Sequence, residues 1–225
     1  MTDAAAAAAP DDRTLDELRL ALAPVIARHA VFDGWSAAAL KAAGAELGLP
    51  PGRAELAFPN GPVDMIDAWF AAIDQAMADA FPAERIAGMK TRERIGALIL
   101  FRLETALPCR EALRRAFAIL AMPGNAVRAA RLGWRAADRM WRLAGDGAAD
   151  FSHYTRRATL GAVYGATCLV FIDDDSENLA DTRAFLARRI EGVMRFEKLK
   201  ARLKPDPDRH FSPARLLGRL RYPVA

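Results

Sequence analysis

The stretch FDGWSAAALKAAGAELGLPPGRAELAFPNGPVDM, Phe32 to Met65, decides the fold. Ser36 is placed to cap a short helix ending near Gly44, because its hydroxyl can accept from the free N–H groups of a first turn. Pro50-Pro51 opens another helix that runs to Phe58, proline being tolerated where no helical donor is needed. Pro62 then opens a longer helix through Ile66, Phe70, Ile73 and Met77, which Pro82 closes. Upstream, Leu18, Leu22, Val25, Ile26 and His29 recur at helical steps and mark a first helix, in which Pro24 should kink the chain or begin a new turn. The pattern is three helices followed by a long fourth.

Downstream the same period continues. Thr91 begins a helix through Leu107 that Pro108 ends, and Arg110 to Met122 forms another, stopped by Pro123-Gly124. From Asn125 to Ala144 the apolar steps place Trp134 and Trp141 on one face. Ser152 to Ile172 carries almost no charge after Arg157 and should be buried on most sides. A last long helix is expected from about Asn178 to Leu203, with Leu179, Leu186, Ile190 and Val193 inward. Asp173-Asp174-Asp175 stand just before it, where acidic residues offset the positive end of a helix dipole.

The 225 residues are 52% hydrophobic and 8% aromatic, with alanine and leucine carrying the apolar share, so the composition favours an all-α protein over a β-sandwich or barrel. The longest uncharged run, Ala158 to Ile172, has 15 residues, short of the roughly 18 that a spanning helix needs. Cys109 and Cys168 show neither CxxC nor Cys/His spacing and read as small core residues in a reducing cytosol. Three histidines, His29, His153 and His210, form no metal-ligand pair on any helix. Neither a Gly-rich phosphate loop nor a GxSxG elbow occurs. No metal, cofactor or catalytic residue is expected. Residues 1–13 read as a disordered leader, too acidic for a transit peptide.

The first three helices resemble a helix-turn-helix of the TetR type, through Phe32 to Ser36, Ala42-Ala43, Leu47-Gly48-Leu49, Leu56 and Phe58. That resemblance implies a DNA reader, but the charge opposes it. From Val31 to Gln75, Lys41 and Arg53 face six acidic residues, a net −4, whereas DNA affinity comes chiefly from cations on phosphates. The expectation is no nucleic acid. A ligand-responsive TetR-type regulator remains the alternative.

The segment RMWRLAGDGAADFSHYTRRATLGAVYGATCLVFIDDDSENLADTRAFLARRI, followed by MRFEKLKARL, resembles the Coq nine family of ubiquinone-biosynthesis accessory proteins. The features run in order: Trp141, Ala144-Gly145-Asp146, Asp150, Tyr154-Thr155-Arg156-Arg157, Tyr164, the acidic corner, Asp181-Thr182, Phe185-Leu186 and Arg189. FDGW at Phe32 to Trp35 and MPGN at Met122 to Asn125 also fit. The resemblance implies an all-α, TetR-like fold that has lost DNA binding. It further implies a nonenzymatic homodimer that holds an isoprenoid lipid or ubiquinone intermediate in its bundle. Such a protein associates with a membrane surface and presents the lipid to demethoxyubiquinone hydroxylase or another ubiquinone-pathway enzyme. The expected location is the bacterial cytoplasm, at the inner membrane.

A polyprenyl quinone needs a concave apolar pocket with few polar groups. The candidate lining is Trp134, Trp141, Leu160, Tyr164, Leu169 and Phe171, with an ordinary packed core as the alternative. Carried over from the family, the partner-binding candidates are Met140, Asp150, His153 and Tyr154, with Met140 off the tryptophan face as a surface contact should be; His153 stands where some family members have tryptophan. The family dimerises through its last two bundle helices, here 152–172 and 178–203.

Residues 195–225 carry nine cations against three anions, a net +6. Within them Leu216, Leu217 and Leu220 project opposite Arg215 and Arg219 on a short helix begun by Ser212-Pro213, the pattern of a membrane-interface contact. A solvated or docked tail is the alternative. The organisation expected is a leader over 1–13, a helix-turn-helix unit over 14–60, a lipid-binding and dimerisation bundle over 61–204, and a basic amphipathic tail over 205–225.

Overall fold

The computed structural model describes residues 13–145 and 151–203, apart from the side chains of Phe151, Ser152, Lys198, Lys200 and residues 201–203. Its helices are α1 (Leu15–Asp33), α2 (Ala37–Glu46), α3 (Arg53–Ala57), α4 (Pro62–Ala80), α5 (Ala83–Ile86), α6 (Thr91–Ala106), α7 (Arg110–Leu120), α8 (Ala126–Leu143), α9 (Phe151–Ile172) and α10 (Ala180–Leu203). No strand occurs among the described residues, as the composition requires. The chain forms two compact units, one ending at Leu186 and a second starting at Ala187.

Local chemistry sets the helix ends. Thr14 and Glu17 form a reciprocal capping box that satisfies donors at the start of α1. Pro24 lies inside α1 without ending it, its ring exposed on the outer face, so the expected new turn does not occur. Gly34 takes φ 67°, a left-handed value that a side chain would resist, and α1 stops there. Ser36 Oγ accepts from Ala39 N at 3.2 Å, as its position predicts. Pro62 starts α4 as expected. The helix expected from Pro50-Pro51 is shorter, because Gly52 (φ 84°) precedes it and Phe58 ends it.

Helices α1, α2 and α3 pack on one another, and α1 also lies against α4 and α7. Leu18, Leu22, Ile26 and Ala30 form its fully buried stripe. Trp35 seals the junction. Its ring is buried against Trp69 at a 5.4 Å centroid separation, and its indole N–H donates to the Ala112 carbonyl at 2.9 Å. The tryptophan of FDGW thus ties the loop between α1 and α2 to both α4 and α7. In the bundle, α8 and α9 pack closely and each contacts α6 and α7.

Trp35→Ala removes a buried indole and its hydrogen bond, and should lower stability by about 3–5 kcal/mol. Urea denaturation followed by far-UV circular dichroism measures this. A loss below about 1 kcal/mol would refute the anchoring role.

Candidate functional site

Four helices bring charge and polarity together inside the bundle. Asp74 comes from α4, Arg102 from α6, Arg135 from α8, and Tyr164 with Cys168 from α9. Arg102 is only 1% exposed and its Nη1 donates to Asp74 Oδ1. Arg135 Nε lies 3.6 Å from Asp74 Oδ2, and its guanidinium also pairs with Asp67. The Arg102 Cζ stands 5.1 Å from the centre of the Tyr164 ring. Burial pushes the Cys168 thiol up to about 12 and raises the Tyr164 phenol above its ordinary value. Both stay protonated at neutral pH. Burial disfavours the Arg102 charge, yet Tyr164 and Asp74 together hold it above its ordinary value.

A second buried pair joins α8 and α9. Arg157 on α9 is 2% exposed and donates to Asp138 Oδ1 on α8 at 2.6 Å. Arg157 lies on the inner face of α9, where Leu160, Tyr164, Thr167, Cys168 and Phe171 recur at helical steps. The opposite face holds Ala158, Ala162 and Leu169, all exposed. The expectation that α9 is buried on most sides therefore fails in this unit: its lack of charge covers one packed face and one open face.

Of the six candidate lining residues, Leu160, Tyr164 and Phe171 share that inner face. Leu169 points away from it and is 64% exposed. Trp141 lies along the α8–α9 seam, its N–H donating to the Arg156 carbonyl at 3.0 Å. Trp134 joins a surface group instead. Its ring centre is 6.5 Å from His153 and 6.0 Å from Tyr154, which are themselves 5.1 Å apart. The structure thus unites a residue read as lining with two read as partner contacts. Met140 is completely buried, so its expected place on the surface is corrected: it continues the stripe of Leu132, Ala136 and Ala137 that packs inward. Asp150 and the tail residues Arg215, Leu216, Leu217, Arg219 and Leu220 lie outside the described residues.

Two concave regions are polar. One, of about 420 Å³, is lined by Asp16, Arg19, Asn60, Asp64, Asp67 and Arg135 among others. The second, of about 460 Å³, lies between α7 and the acidic corner and is lined by Arg110, Glu111, Arg114, Ile172, Asp173 and Asp175. Neither includes a candidate lining residue. Among the described residues no group of three or more His, Cys, Asp or Glu is placed to hold a metal ion, and no helix is long and apolar enough to cross a membrane.

The acidic corner serves the helix start. Asp174 is 5% exposed; one carboxylate oxygen accepts from the Ser176 N–H at 2.9 Å and the other from the Thr182 N–H at 2.8 Å. Burial would raise its pKa, but the Ser176 and Thr182 hydrogen bonds outweigh this and hold it well below the usual carboxylate range. The corner is tight enough to hold Asn178 and Leu179 at φ 54° and 57°. Arg114 donates to the Ile172 carbonyl at 2.9 Å, fixing the corner to α7.

An all-α arrangement of a small helix-turn-helix unit on a larger bundle is that of TetR-like proteins. A TetR transcriptional regulator from Nitrosomonas europaea superposes with a TM-score of 0.64 at 23% identity, covering 79% of this chain and 98% of that one. Residues 126–197 match the COQ9 family model, so the resemblance read from the sequence holds. The bovine ubiquinone biosynthesis protein COQ9 is 32% identical over 170 residues, 72% of this chain and 52% of that protein. The human protein of the same name is 38% identical over 105 residues, 47% of this chain and 33% of its own length. The Schizosaccharomyces pombe protein is 30% identical over 143 residues, 64% and 57% respectively. The chain spans about half the length of the bovine relative it matches.

These relatives are each named as mitochondrial, which overturns the expected bacterial cytoplasmic location. The cysteines carried less than was read into them. Buried, unpaired thiols such as Cys109 and Cys168 fit any reducing compartment.

Asp174 yields a pH prediction. A carboxylate with a depressed folded pKa stabilises the fold above its unfolded value, near 3.9, and that stabilisation disappears as pH falls through the folded value. Asp174→Ala should cost about 2–3 kcal/mol at pH 7, and its difference from wild type should shrink below about pH 4. Urea titrations across that range test this; a difference independent of pH would refute it.

Proposed function

We propose that the protein is a nonenzymatic, lipid-binding accessory protein of ubiquinone biosynthesis. It binds isoprenoid quinone intermediates at a membrane surface and presents them to a ring-modifying hydroxylase. The observation that carries this reading is the COQ9 family match over residues 126–197, which falls on α8, α9 and most of α10. On the inner face of α9, Leu160 and Phe171 pack in the core, and Tyr164, half-buried, is the candidate lining residue of that face left partly open to a lipid. The surface group of Trp134, His153 and Tyr154 is the contact for demethoxyubiquinone hydroxylase or another pathway enzyme, large exposed aromatics being characteristic of such anchors. The uncharged outer face of α9, with Ala158, Ala162 and Leu169, supports a homodimer through the last two bundle helices. Met194, Phe196 and Leu199 are exposed on α10 and, with the basic tail, support a peripheral membrane contact.

The same reading leaves no role in DNA binding. Of the two cations between Val31 and Gln75, Arg53 is already engaged, donating to the Arg13 carbonyl at 3.1 Å. Lys41 alone cannot supply the several phosphate contacts that duplex affinity requires.

Native mass spectrometry of protein purified from its own host, with lipid extraction, should find an isoprenoid at about one copy per chain. Apo protein that ignores added quinone lipids but shifts an operator fragment would replace this reading with a TetR-type regulator.

A further inference from the structure

From Ala112 to Ala137 the chain carries five arginines and no acidic residue, and the twelve residues in the middle, Ala116 to Val127, carry no charge at all. They build the corner between α7 and α8. Surface turns are ordinarily polar. This one exposes Ala121, Met122, Pro123, Ala126 and Val127, with Met122 55% and Val127 65% exposed. Its polar groups are turned inward. The Asn125 amide, the one polar side chain of the corner, donates to the Ile119 carbonyl at 2.8 Å. The backbone N–H groups of Ala121, Met122, Asn125 and Ala126 are taken by the Phe117, Ile119, Met122 and Pro123 carbonyls. A segment whose donors are paired within itself can leave water at small cost.

The cations stand behind this apolar tip. Arg114, Arg115 and Arg135 are tied to acidic partners. Arg128 meets Asp64 only at 3.5 Å and keeps 46% of its side chain exposed, and Arg131 is exposed with no acidic partner among the described residues. The two lie two and five residues beyond Ala126, which places them about 3 and 8 Å further along α8 at ~1.5 Å per residue. An interfacial element sinks about 5–10 Å into the boundary of head groups and acyl chains. At that depth the tip reaches the acyl chains while Arg128 and Arg131 stand level with the phosphates.

We propose that the α7–α8 corner is a membrane-insertion element: Met122 and Val127 enter the interface of an anionic bilayer, and Arg131, with Arg128, meets the lipid phosphates. This rests on the membrane-surface reading above and adds a contact on the bundle, separate from α10 and the basic tail. A bilayer fits the corner better than a protein partner does. A specific protein interface carries about one hydrogen bond per 100–200 Å², and the tip offers no free polar side chain to make one.

The test uses the full chain and phosphatidylcholine vesicles with and without phosphatidylglycerol. Met122→Cys carrying the environment-sensitive fluorophore NBD reports on the tip, since Cys109 and Cys168 are buried, and Leu56→Cys on α3, 62% exposed, is labelled as the control. On anionic vesicles the label at 122 should brighten, shift to the blue and be quenched by doxyl-labelled lipid, and the label at 56 should do none of these. In vesicle flotation Val127→Glu should weaken binding on the order of tenfold. Arg131→Gln should weaken it about fivefold on anionic vesicles and leave binding to phosphatidylcholine alone unchanged. Circular dichroism establishes that each variant is folded. Wild type that binds vesicles while the label at 122 stays silent, or folded Val127→Glu that binds as wild type does, would overturn the corner and leave the membrane reading to α10 and the tail. An oligomeric state altered by Val127→Glu with vesicle binding intact would assign the corner to a contact between copies and overturn the proposal equally. Failure of wild type to bind anionic vesicles would overturn both readings.

Discussion

A charge taken out of water has to keep a partner, and that constraint sets the register of the bundle. Arg102 is almost wholly buried on α6, so Asp74 on α4 must remain within reach of it. Arg135 brings α8 to the same carboxylate, and Tyr164 brings α9 to the same guanidinium. A slide or rotation of α6 by one step would part Arg102 from Asp74 and leave a buried charge unmatched, a loss of about 3–5 kcal/mol. Helix α4 carries the constraint outward. It packs on α1 as well as on α6 and α8, so the small helical unit is placed by the helix whose other face holds Asp74.

The small helical unit carries a net −4 from Val31 to Gln75, and packing fixes its place in the fold. Trp35 is buried against Trp69 and bonded to the α7 backbone, and Arg115 donates to the Phe32 carbonyl at 2.9 Å. The unit is therefore part of the same core as α4 and α7. Its outer surface is free to lose cations, since a change from basic to acidic on an exposed helix face costs little. Its inner surface is not.

Much of this was legible in the sequence because caps and periodicity are local. Ser36, Pro62 and the Leu18-Leu22-Ile26 steps specify their helices without reference to anything distant. Trp134 and Met140 were placed on the wrong sides because an apolar helix spaced at three and four has two candidate stripes, and the partner helix chooses between them. On α8 the inward stripe is Leu132, Ala136, Ala137 and Met140, in which the two alanines permit close approach by α9. The wider tryptophans were left to the seam and the surface. Arg102 was overlooked because an arginine on an amphipathic helix ordinarily marks the solvent side. The signal was nevertheless present: it falls within the run Ile95, Leu98, Ile99, Leu103 and Ala106, every one buried. Asp74 likewise lies between Phe70 and Met77 on the inward side of α4. A charge inside an apolar stripe on two different helices, of opposite sign, is a pairing written in sequence.

The absence of charge from Ala158 to Ile172 has a physical account that does not involve membrane insertion. The run has 15 residues, and no described helix meets the length and hydropathy of a span. Its inner side must accept Leu160, Tyr164 and Phe171 against α6, α7 and α8, where an additional charge would need its own buried partner. Its outer side carries Ala158, Ala162 and Leu169, a narrow apolar surface that a like surface of a second copy would cover under the proposed dimer. Flanking this run, Arg157 finds Asp138 and Asp174 finds Thr182, so charge returns where a partner is already built. A helix uncharged on a packed inner face, and bounded by satisfied charges, is distinguishable from one uncharged because lipid surrounds it.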